Sequence, residues 1–168
     1  MNMPFNLNKG LYLEHRNVLL PWWEAKDFDR LRKIGNPKIT TGSIGSSSST
    51  YGSCDTLRWE NDCIFHGIPV SIETQDYIVK NFYRIRPMEG HIWSEDEYHT
   101  LKGKLIGKFG NAFGERQAED GLLSVNWKFD DVNIGLSTQE RCGVATNFTV
   151  CKDDWMRTRP FNPSSHIG

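Results

Sequence analysis

The stretch "VNWKFDDVNIGLSTQ", Val125 to Gln139, alternates apolar and polar residues on either side of an acidic pair. An earlier stretch, "LRWENDCIFHGIPVSIETQ" from Leu57 to Gln75, follows the same plan: an apolar residue two before a tryptophan, an acidic turn, an alternating run and then Thr-Gln. Alternation with a period of two is typical of half-buried β-strands. Each stretch therefore predicts a β-hairpin, and the chain contains the plan twice.

The two copies align from their Thr-Gln ends. The apolar positions of the second strand then coincide: Ile68 with Val132, Val70 with Ile134, and Ile72 with Leu136. Trp59 and Trp127 match once four extra residues are allowed in the first acidic turn. Extra residues in a turn cost little free energy, so this offset is tolerable. Because both tryptophans share a face with apolar neighbours, we predict that they lie in the core beneath helices.

A helix pattern precedes each hairpin. The segments "WWEAKDFDRLRKIGNP" and "SEDEYHTLKGKLIGKFGNA" have apolar residues at helical spacing and end at glycine, which predicts two amphipathic helices. Ser94 and Glu97 form a capping box for the second helix, and Pro21 suits the first turn of the first. Gly103 and Gly107 weaken the second helix.

The order of these elements predicts the architecture. Strands are expected at about 122–129, 131–138 and 144–151, each with one apolar and one polar face, which is typical of an antiparallel sheet covered on one side. We predict an α+β fold with one antiparallel sheet of about eight strands, built from two tandem repeats at about 10–86 and 87–151. Both helices are expected on one face. The chain is read as one domain, 1–168, with an irregular tail at 152–168.

One segment departs from the repeated plan. "TTGSIGSSSSTYGS", Thr40 to Ser53, is rich in serine and glycine and has no apolar periodicity. This composition predicts a mobile loop between the first helix and its strands.

Composition narrows the class of protein. The chain has 168 residues, of which 38% are hydrophobic and 24% charged, with a formal net charge of −1. These values indicate a soluble globular domain and do not favour nucleic acid or a membrane surface as a partner. No apolar stretch approaches the roughly 20 residues of a membrane span, and the N-terminus lacks the pattern of a signal peptide. The expected location is the cytoplasm, and the alternative that a leader has been removed stays open.

Cysteines and histidines do not form a metal-binding pattern. Cys54, Cys63, Cys142 and Cys151 include no CxxC pair and are expected to be reduced. His91 and His99 flank the acidic run Glu95–Glu97, but acids in a first helical turn complement the helix dipole without a metal. We expect neither a metal nor another cofactor.

Motifs of catalysis and of nucleic-acid binding are weak. "GKFGNAFGE" lacks the GK[ST] of a phosphate-binding loop, and "GSIGSSSS" is not a nucleophile elbow. The carboxylate pairs fall at expected turns, which favour aspartate. "KNFYRIRP", Lys80 to Pro87, is the one basic stretch interleaved with aromatics, and a single strand is not a nucleic-acid surface. We predict no catalytic residues.

A polar sheet face is the better candidate for function. Its predicted partner-binding residues are Arg58, Glu60, Glu73, Asn126, Lys128, Asn133 and Asn147. Trp22 and Trp93, at the ends of elements, are added as exposed aromatic anchors, because such residues are enriched in interfaces. A sheet face that is merely solvated has the same polarity, so this alternative stays open.

The chain also resembles a known class of protein. The run "LYLEHRNVLLPWWEAKDFDRLRKIGNP", then "LRWENDCIFHGIPVSIET", then "LKGKLIGKFGNA…VNWKFDDVNIGLS" resembles the immunity proteins of bacterial polymorphic toxins over about residues 10–151. The plan of tandem helix and sheet is also similar to that of beta-lactamase inhibitor proteins, which are secreted and grip an enzyme with a concave sheet. The resemblance implies a cytoplasmic protein that neutralises a toxin by binding it.

The expected function is therefore a non-enzymatic protein-binding module, most simply an immunity protein whose partner is a toxin or effector domain. Two alternatives remain. One is a small enzyme whose site the sequence does not connect. The other is a nucleic-acid-binding or scaffold protein.

Overall fold

Alternating sequences become ten strands in the computed structural model, which describes residues 7–23, 27–46, 49–65, 67–76, 81–88, 91–140 and 143–152. The strands of the described chain are β1 Gly10–Leu13, β2 Val18–Pro21, β3 Lys38–Ser46, β4 Ser49–Ile64, β5 Ile68–Gln75, β6 Phe82–Arg86, β7 Gly114–Gln117, β8 Leu123–Phe129, β9 Val132–Glu140 and β10 Val144–Lys152. The helices are α1 Phe28–Leu31 and α2 Glu95–Phe109. The α+β class is confirmed, as are the three strands predicted at 122–151 within two residues.

Eight strands form one antiparallel sheet in the order β3-β4-β5-β6-β10-β9-β8-β7. The order is symmetric about the seam between β6 and β10, since each side runs outward through four strands that are consecutive in sequence. Strands β1 and β2 form a separate two-stranded sheet. A large antiparallel sheet was predicted, and the structure confirms it.

The apolar side of the sheet carries the core. One row of cross-strand neighbours runs Trp59, Ile72, Ile85, Phe148, Leu136 and Val125. Both helices and the β1–β2 hairpin bury side chains in the same cluster: Phe28, Leu31, Tyr98, Leu101, Leu105, Leu11, Leu13 and Leu20. Trp59 and Trp127 are 0% and 1% exposed. Their predicted place in the core beneath helices is confirmed.

The ends of α2 follow the sequence prediction. The backbone N–H of Ser94 donates to the Glu97 carboxylate at 2.8 Å, which is one half of the predicted capping box. The helix ends at Gly110, whose φ of 80° lies in the region that favours glycine, and the Gly110 N–H donates to the Ile106 carbonyl at 2.8 Å. These caps fix where the chain leaves the sheet and returns to it.

The first predicted helix is much shorter than expected. In the described part of this segment, which excludes residues 24–26, only Phe28–Leu31 is α-helical, and Pro21 ends β2 instead of opening a helix. Tertiary hydrogen bonds explain the difference, since the Trp22 N–H donates to the Lys9 carbonyl and the Trp23 N–H to the Asn81 side chain at 2.9 Å. These bonds hold the segment before α1 in a non-helical conformation, against its local pattern.

The prediction of a mobile serine-rich loop at Thr40 to Ser53 is also wrong. Strands β3 and β4 pair through this segment, from Lys38 opposite Arg58 to Ser46 opposite Ser49. Because β5 ends at Gln75, opposite Thr56, the rest of the β3–β4 pair extends past the sheet as a two-stranded arm. Backbone pairing along β3 and β4, with one register shift between Ile44 and Gly45 and with threonines that favour strands, overrides the composition typical of a linker.

The acidic turn predicted after Trp59 is not a turn. Pairing with β5 shifts register between Trp59 and Asp62, and Asn61 has a φ of 56°, so the extra residues form a bulge inside β4. The hairpin turn comes later, where Phe65 and Gly67 have φ values of 52° and 107°. The bulge turns the Asp62 side chain inward, where it is 1% exposed.

Two further expectations concern the ends of the chain and the membrane. Strand β10 ends at Lys152, and the predicted tail beyond it, 153–168, lies outside the described residues. Within the part of the chain that the structure describes, neither helix has the length and apolar character needed to cross a bilayer.

Candidate partner-binding face

The polar side of the eight-stranded sheet, here called the open face, lies opposite the side on which α1, α2 and the β1–β2 hairpin pack. One row of cross-strand partners crosses every strand of the sheet: Lys38, Arg58, Glu73, Arg84, Thr149, Gly135, Asn126 and Gly114. Register alone therefore brings residues distant in sequence onto one continuous surface.

Seven of the nine predicted site residues lie on the open face. Arg58, Glu73 and Asn126 belong to the row just described. The remaining four are Lys128, Asn133, Asn147 and Glu60. Lys128 pairs with Asn133 in one neighbouring row, and Asn147 pairs with Ser137 in another. The Glu60 carboxylate lies on the same face beside Arg58. The structure thus brings together the polar residues that the sequence singled out.

The two predicted tryptophan anchors lie on the other side. Trp93 is only 6% exposed, and its ring centroid is 6.2 Å from that of Phe148, so it is a core residue and not an exposed anchor. Trp22 is half-buried against Tyr83 at 5.6 Å, and its indole N–H donates to the Leu7 carbonyl at 2.7 Å. The hydrogen bond and the ring contact satisfy both parts of the Trp22 side chain within the fold.

Each carboxylate of the open face lies between two cations. The Glu73 carboxylate is 3.5 Å from Arg84 and 3.2 Å from Arg86, and Glu73 is 8% exposed. The Glu60 carboxylate is 3.6 Å from Arg58 and 3.7 Å from Lys38. Because a buried carboxylate is tolerated only when it is compensated, the arginines around Glu73 make its position on the sheet possible.

The open face is basic although the protein is not. Its described charged residues comprise six cations and two carboxylates: Lys38, Arg58, Arg84, Arg86, Arg116, Lys128, Glu60 and Glu73. The whole chain has a formal net charge of −1. The positive charge is therefore a property of one surface, and the remaining surface is acidic on balance.

Four of these cations were missed from the sequence: Lys38, Arg84, Arg86 and Arg116. Arg84 and Arg86 flank Ile85 in "FYRIR", and this alternation does predict that they share a polar face. The alternation alone does not show that β6 lies between β5 and β10, beside the other polar residues of the open face, because that position follows only from the strand order. Lys80, from the same basic stretch, lies outside the described residues.

An open pocket of about 420 Å³ lies where β6 ends and the chain turns toward α2. Arg58, Glu73 and Arg86 form its charged side, and Met88 and Ile92 contribute an apolar rim that is 38% and 77% exposed, respectively. The segment is anchored on β10, since the Thr146 N–H donates to the Trp93 carbonyl at 2.9 Å. The pocket thus combines fixed charges with accessible apolar side chains.

Other polar clusters have structural explanations. His91 lies 2.7 Å from the Glu97 carboxylate, and this hydrogen bond, with that from Ser94, lowers the pKa of Glu97. The ring of His99 packs edge-on against Tyr98. Among the described residues no group of three histidine, cysteine or acidic side chains is placed to hold a metal ion.

Cys54 and Cys63 are free thiols, and Cys142 lies outside the described residues. Burial, together with the charges of Asp76 and Asp55, raises the pKa of Cys54. A raised pKa disfavours the thiolate, which is the reactive form of cysteine. Cys54 therefore lacks the environment of a catalytic nucleophile.

Comparisons with known proteins give no assignment: no family model matches the chain, and no curated protein or solved structure matches it significantly.

Proposed function

We propose that this protein is a non-enzymatic protein-binding module, and that it acts as an immunity protein which neutralises a bacterial toxin by direct binding. The observation that carries the proposal is the open face, a polar and basic surface spanning all eight strands of the sheet. Inhibition by binding needs shape and charge complementarity over about 800 Å² per partner and no catalytic group.

The proposal includes the tandem-repeat origin of the sheet. Three features support this origin. The strand order is symmetric about the β6–β10 seam, and each half has a helix on the apolar side. Trp59 and Trp127 also make equivalent hydrogen bonds to backbone carbonyls, at 2.7 Å to Ile34 and 3.0 Å to Gly110. Joining two small units edge to edge creates a binding surface wider than either unit offers alone.

The test uses the product of the gene next to the one that encodes this protein. Co-expression is expected to rescue cells from that product, and the two proteins are expected to co-purify. Failure of the wild-type protein to protect cells or to bind the neighbouring product would contradict the immunity function.

A charge-reversed variant locates the interface. Arg58→Glu, Glu73→Arg and Lys128→Glu together are expected to abolish protection, because like charges across an interface repel. Arg58→Glu with Lys128→Glu, which keeps the buried Glu73 and its two arginines, is measured beside it in case the triple variant does not fold. The matched control is Lys104→Glu, which also lowers the net charge by two, since Lys104 is exposed on α2 and lies off the open face. If the triple variant melts as a folded protein and binds with unchanged affinity, the partner docks elsewhere on the molecule.

A further inference from the structure

The basic charge of the open face specifies the chemistry of its partner. We infer that the partner is a protein that presents an acidic patch, with one carboxylate bound at Arg86 and an adjacent aliphatic side chain packed against Met88 and Ile92. That the partner is a toxin rests on the proposed function. The chemistry of recognition follows from the pocket itself.

Charge complementarity is the first step. Six cations and two carboxylates on one face of a protein with net charge −1 produce a local positive potential. The two carboxylates lie between cation pairs and are neutralised, so the remaining charge faces solvent. A surface of this kind attracts an acidic partner and speeds the encounter.

Arg86 is the side chain best placed to bind a carboxylate. Its side chain is 44% exposed, and Glu73 engages it through the inner nitrogen, Nε, at 3.2 Å. Its two terminal nitrogens contact no partner among the described residues. Arginine binds carboxylates through paired N–H groups, so these nitrogens can bind a second carboxylate. Because Glu73 fixes the guanidinium, little side-chain entropy is lost when a second carboxylate binds.

The apolar rim indicates that the acidic group belongs to a protein. Ile92 and Met88 line the same pocket as Arg86 and are the accessible apolar groups there. A charged contact beside a small apolar contact is typical of the energetic centre of protein interfaces. A nucleic-acid backbone, which is bound through its phosphates, would leave the apolar rim unused.

The probe is the blocked pentapeptide of sequence EELEE, titrated into the ¹⁵N-labelled full-length protein. Chemical shifts are expected to change at the amides of Arg58, Glu73, Arg86 and Ile92, and the affinity is expected to fall with salt as exposed charges are screened. QQLQQ and KKLKK are the matched peptides, and a ten-residue oligothymidylate is the nucleic-acid probe. EELEE is expected to bind more tightly than all three.

Three variants complete the test. Arg86→Glu is expected to weaken binding of EELEE at least about tenfold, whereas Lys104→Glu, which changes the net charge equally on the α2 surface, is expected to leave it unchanged. Arg86→Lys is expected to retain the charge but to bind less tightly, since lysine lacks the paired N–H geometry.

The inference is overturned if folded protein binds QQLQQ as tightly as EELEE, if Arg86→Glu binds normally, or if oligothymidylate binds the face more tightly than the acidic peptide. These outcomes are separate from the immunity function. A protein that protects cells but fails the peptide test retains the proposed function and loses this inference. A protein that binds EELEE as described but protects against no neighbouring toxin supports the inference alone.

Discussion

Trp59 and Trp127 lie at mirrored positions in the sheet, each on the second strand from an edge, and each donates its indole N–H to a backbone carbonyl where a helical segment ends. The acceptors are Ile34 at 2.7 Å and Gly110 at 3.0 Å. Each indole therefore joins a strand to the layer above it by a hydrogen bond as well as by packing. Because both rings are almost fully buried, their loss leaves cavities that the fold cannot fill.

Replacing Trp127 by alanine is expected to lower the free energy of unfolding by about 3–5 kcal/mol, because a large buried ring and its hydrogen bond are both removed. Chemical denaturation of the purified variant measures this change. Phe113→Ala is the control, since Phe113 is 74% exposed and its removal is expected to cost little. A Trp127→Ala protein with normal stability would contradict the assignment of this residue to the core.

Alanine at two glycines of α2 is expected to stabilise the protein. Gly103 and Gly107 lie in the helix, and a Cβ atom at either position meets nothing within 4 Å. Each replacement is expected to add about 0.5–1 kcal/mol, because alanine has the higher helix propensity. Thermal melts of Gly103→Ala and Gly107→Ala measure the gain.

Gly10 provides the opposite case. Its φ is 143°, and a Cβ atom there would lie 2.0 Å from the Leu20 carbonyl oxygen across the β1–β2 hairpin. Gly10→Ala is expected to destabilise the protein by more than about 1 kcal/mol in the same melts, because both the backbone and the neighbouring strand must move. Equal effects at Gly10 and Gly103 would show that the hairpin is not packed as described.

The pKa of Glu97 predicts a change in stability with pH. Hydrogen bonds from His91 and then from the Ser94 backbone lower this pKa below its usual value of 4.5. The stabilisation from the charged carboxylate is therefore present above that value and is lost as pH falls through the folded-state pKa. Glu97→Gln, which can still accept from the Ser94 N–H, is expected to be less stable than the wild type at pH 7.

The comparison is made as a series of melts from neutral to acidic pH. The difference in stability between wild type and Glu97→Gln is expected to shrink as pH falls below 4.5 and to vanish once the wild-type carboxyl group is protonated in the folded state. A gap that stays constant across the series would mean that the ionised form of Glu97 contributes no stability.

Asp62 is expected to be essential to the bulge in β4. The Asp62 carboxylate is 3.3 Å from Arg16 Nε and accepts from the backbone N–H groups of His15 at 3.2 Å and Cys63 at 2.7 Å. Asp62→Ala is expected to cost about 2–4 kcal/mol, because Arg16 loses its ion pair and the backbone N–H groups of His15 and Cys63 lose their acceptor. Asp62→Asn, which keeps one acceptor oxygen, is expected to cost less.

Asp131 is the matched control for Asp62. Its carboxylate is 3.2 Å from Lys152, but its side chain is 52% exposed, so the pair is screened by water. Asp131→Ala is expected to cost less than about 1 kcal/mol in denaturant titrations. If removal of either carboxylate has the same effect, the Asp62 cluster does not stabilise the bulge.

Local patterns predicted the elements that local forces control. The alternation of Val132, Ile134 and Leu136 fixes which side of β9 is buried, and the Ser94–Glu97 box fixes where α2 begins. Both features depend on residues within a few positions of one another. They can therefore be read from the sequence without knowledge of the tertiary fold.

Tertiary contacts control the features that were predicted wrongly. The segment at Trp22 and Trp23 is held out of a helix by Lys9 and Asn81, and the serine-rich arm is a strand pair only because β3 finds β4. The open face shows the same limit. Its members on β4 and β8 were identified, but Arg86 was not, because the position of β6 in the sheet is set by β10.

The position of β10 also has a consequence for the order of events during synthesis. β10 is the last strand of the sheet in sequence, yet it lies beside β6 at the centre, and its partners there are about sixty residues earlier in the chain. Strands β3 to β6 therefore remain with the inner edge of β6 unpaired until residue 152 has left the ribosome. We expect a slow final folding phase in which the two halves join. The entropic cost of closing this long loop is incurred before the pairing of β6 with β10 contributes any stability.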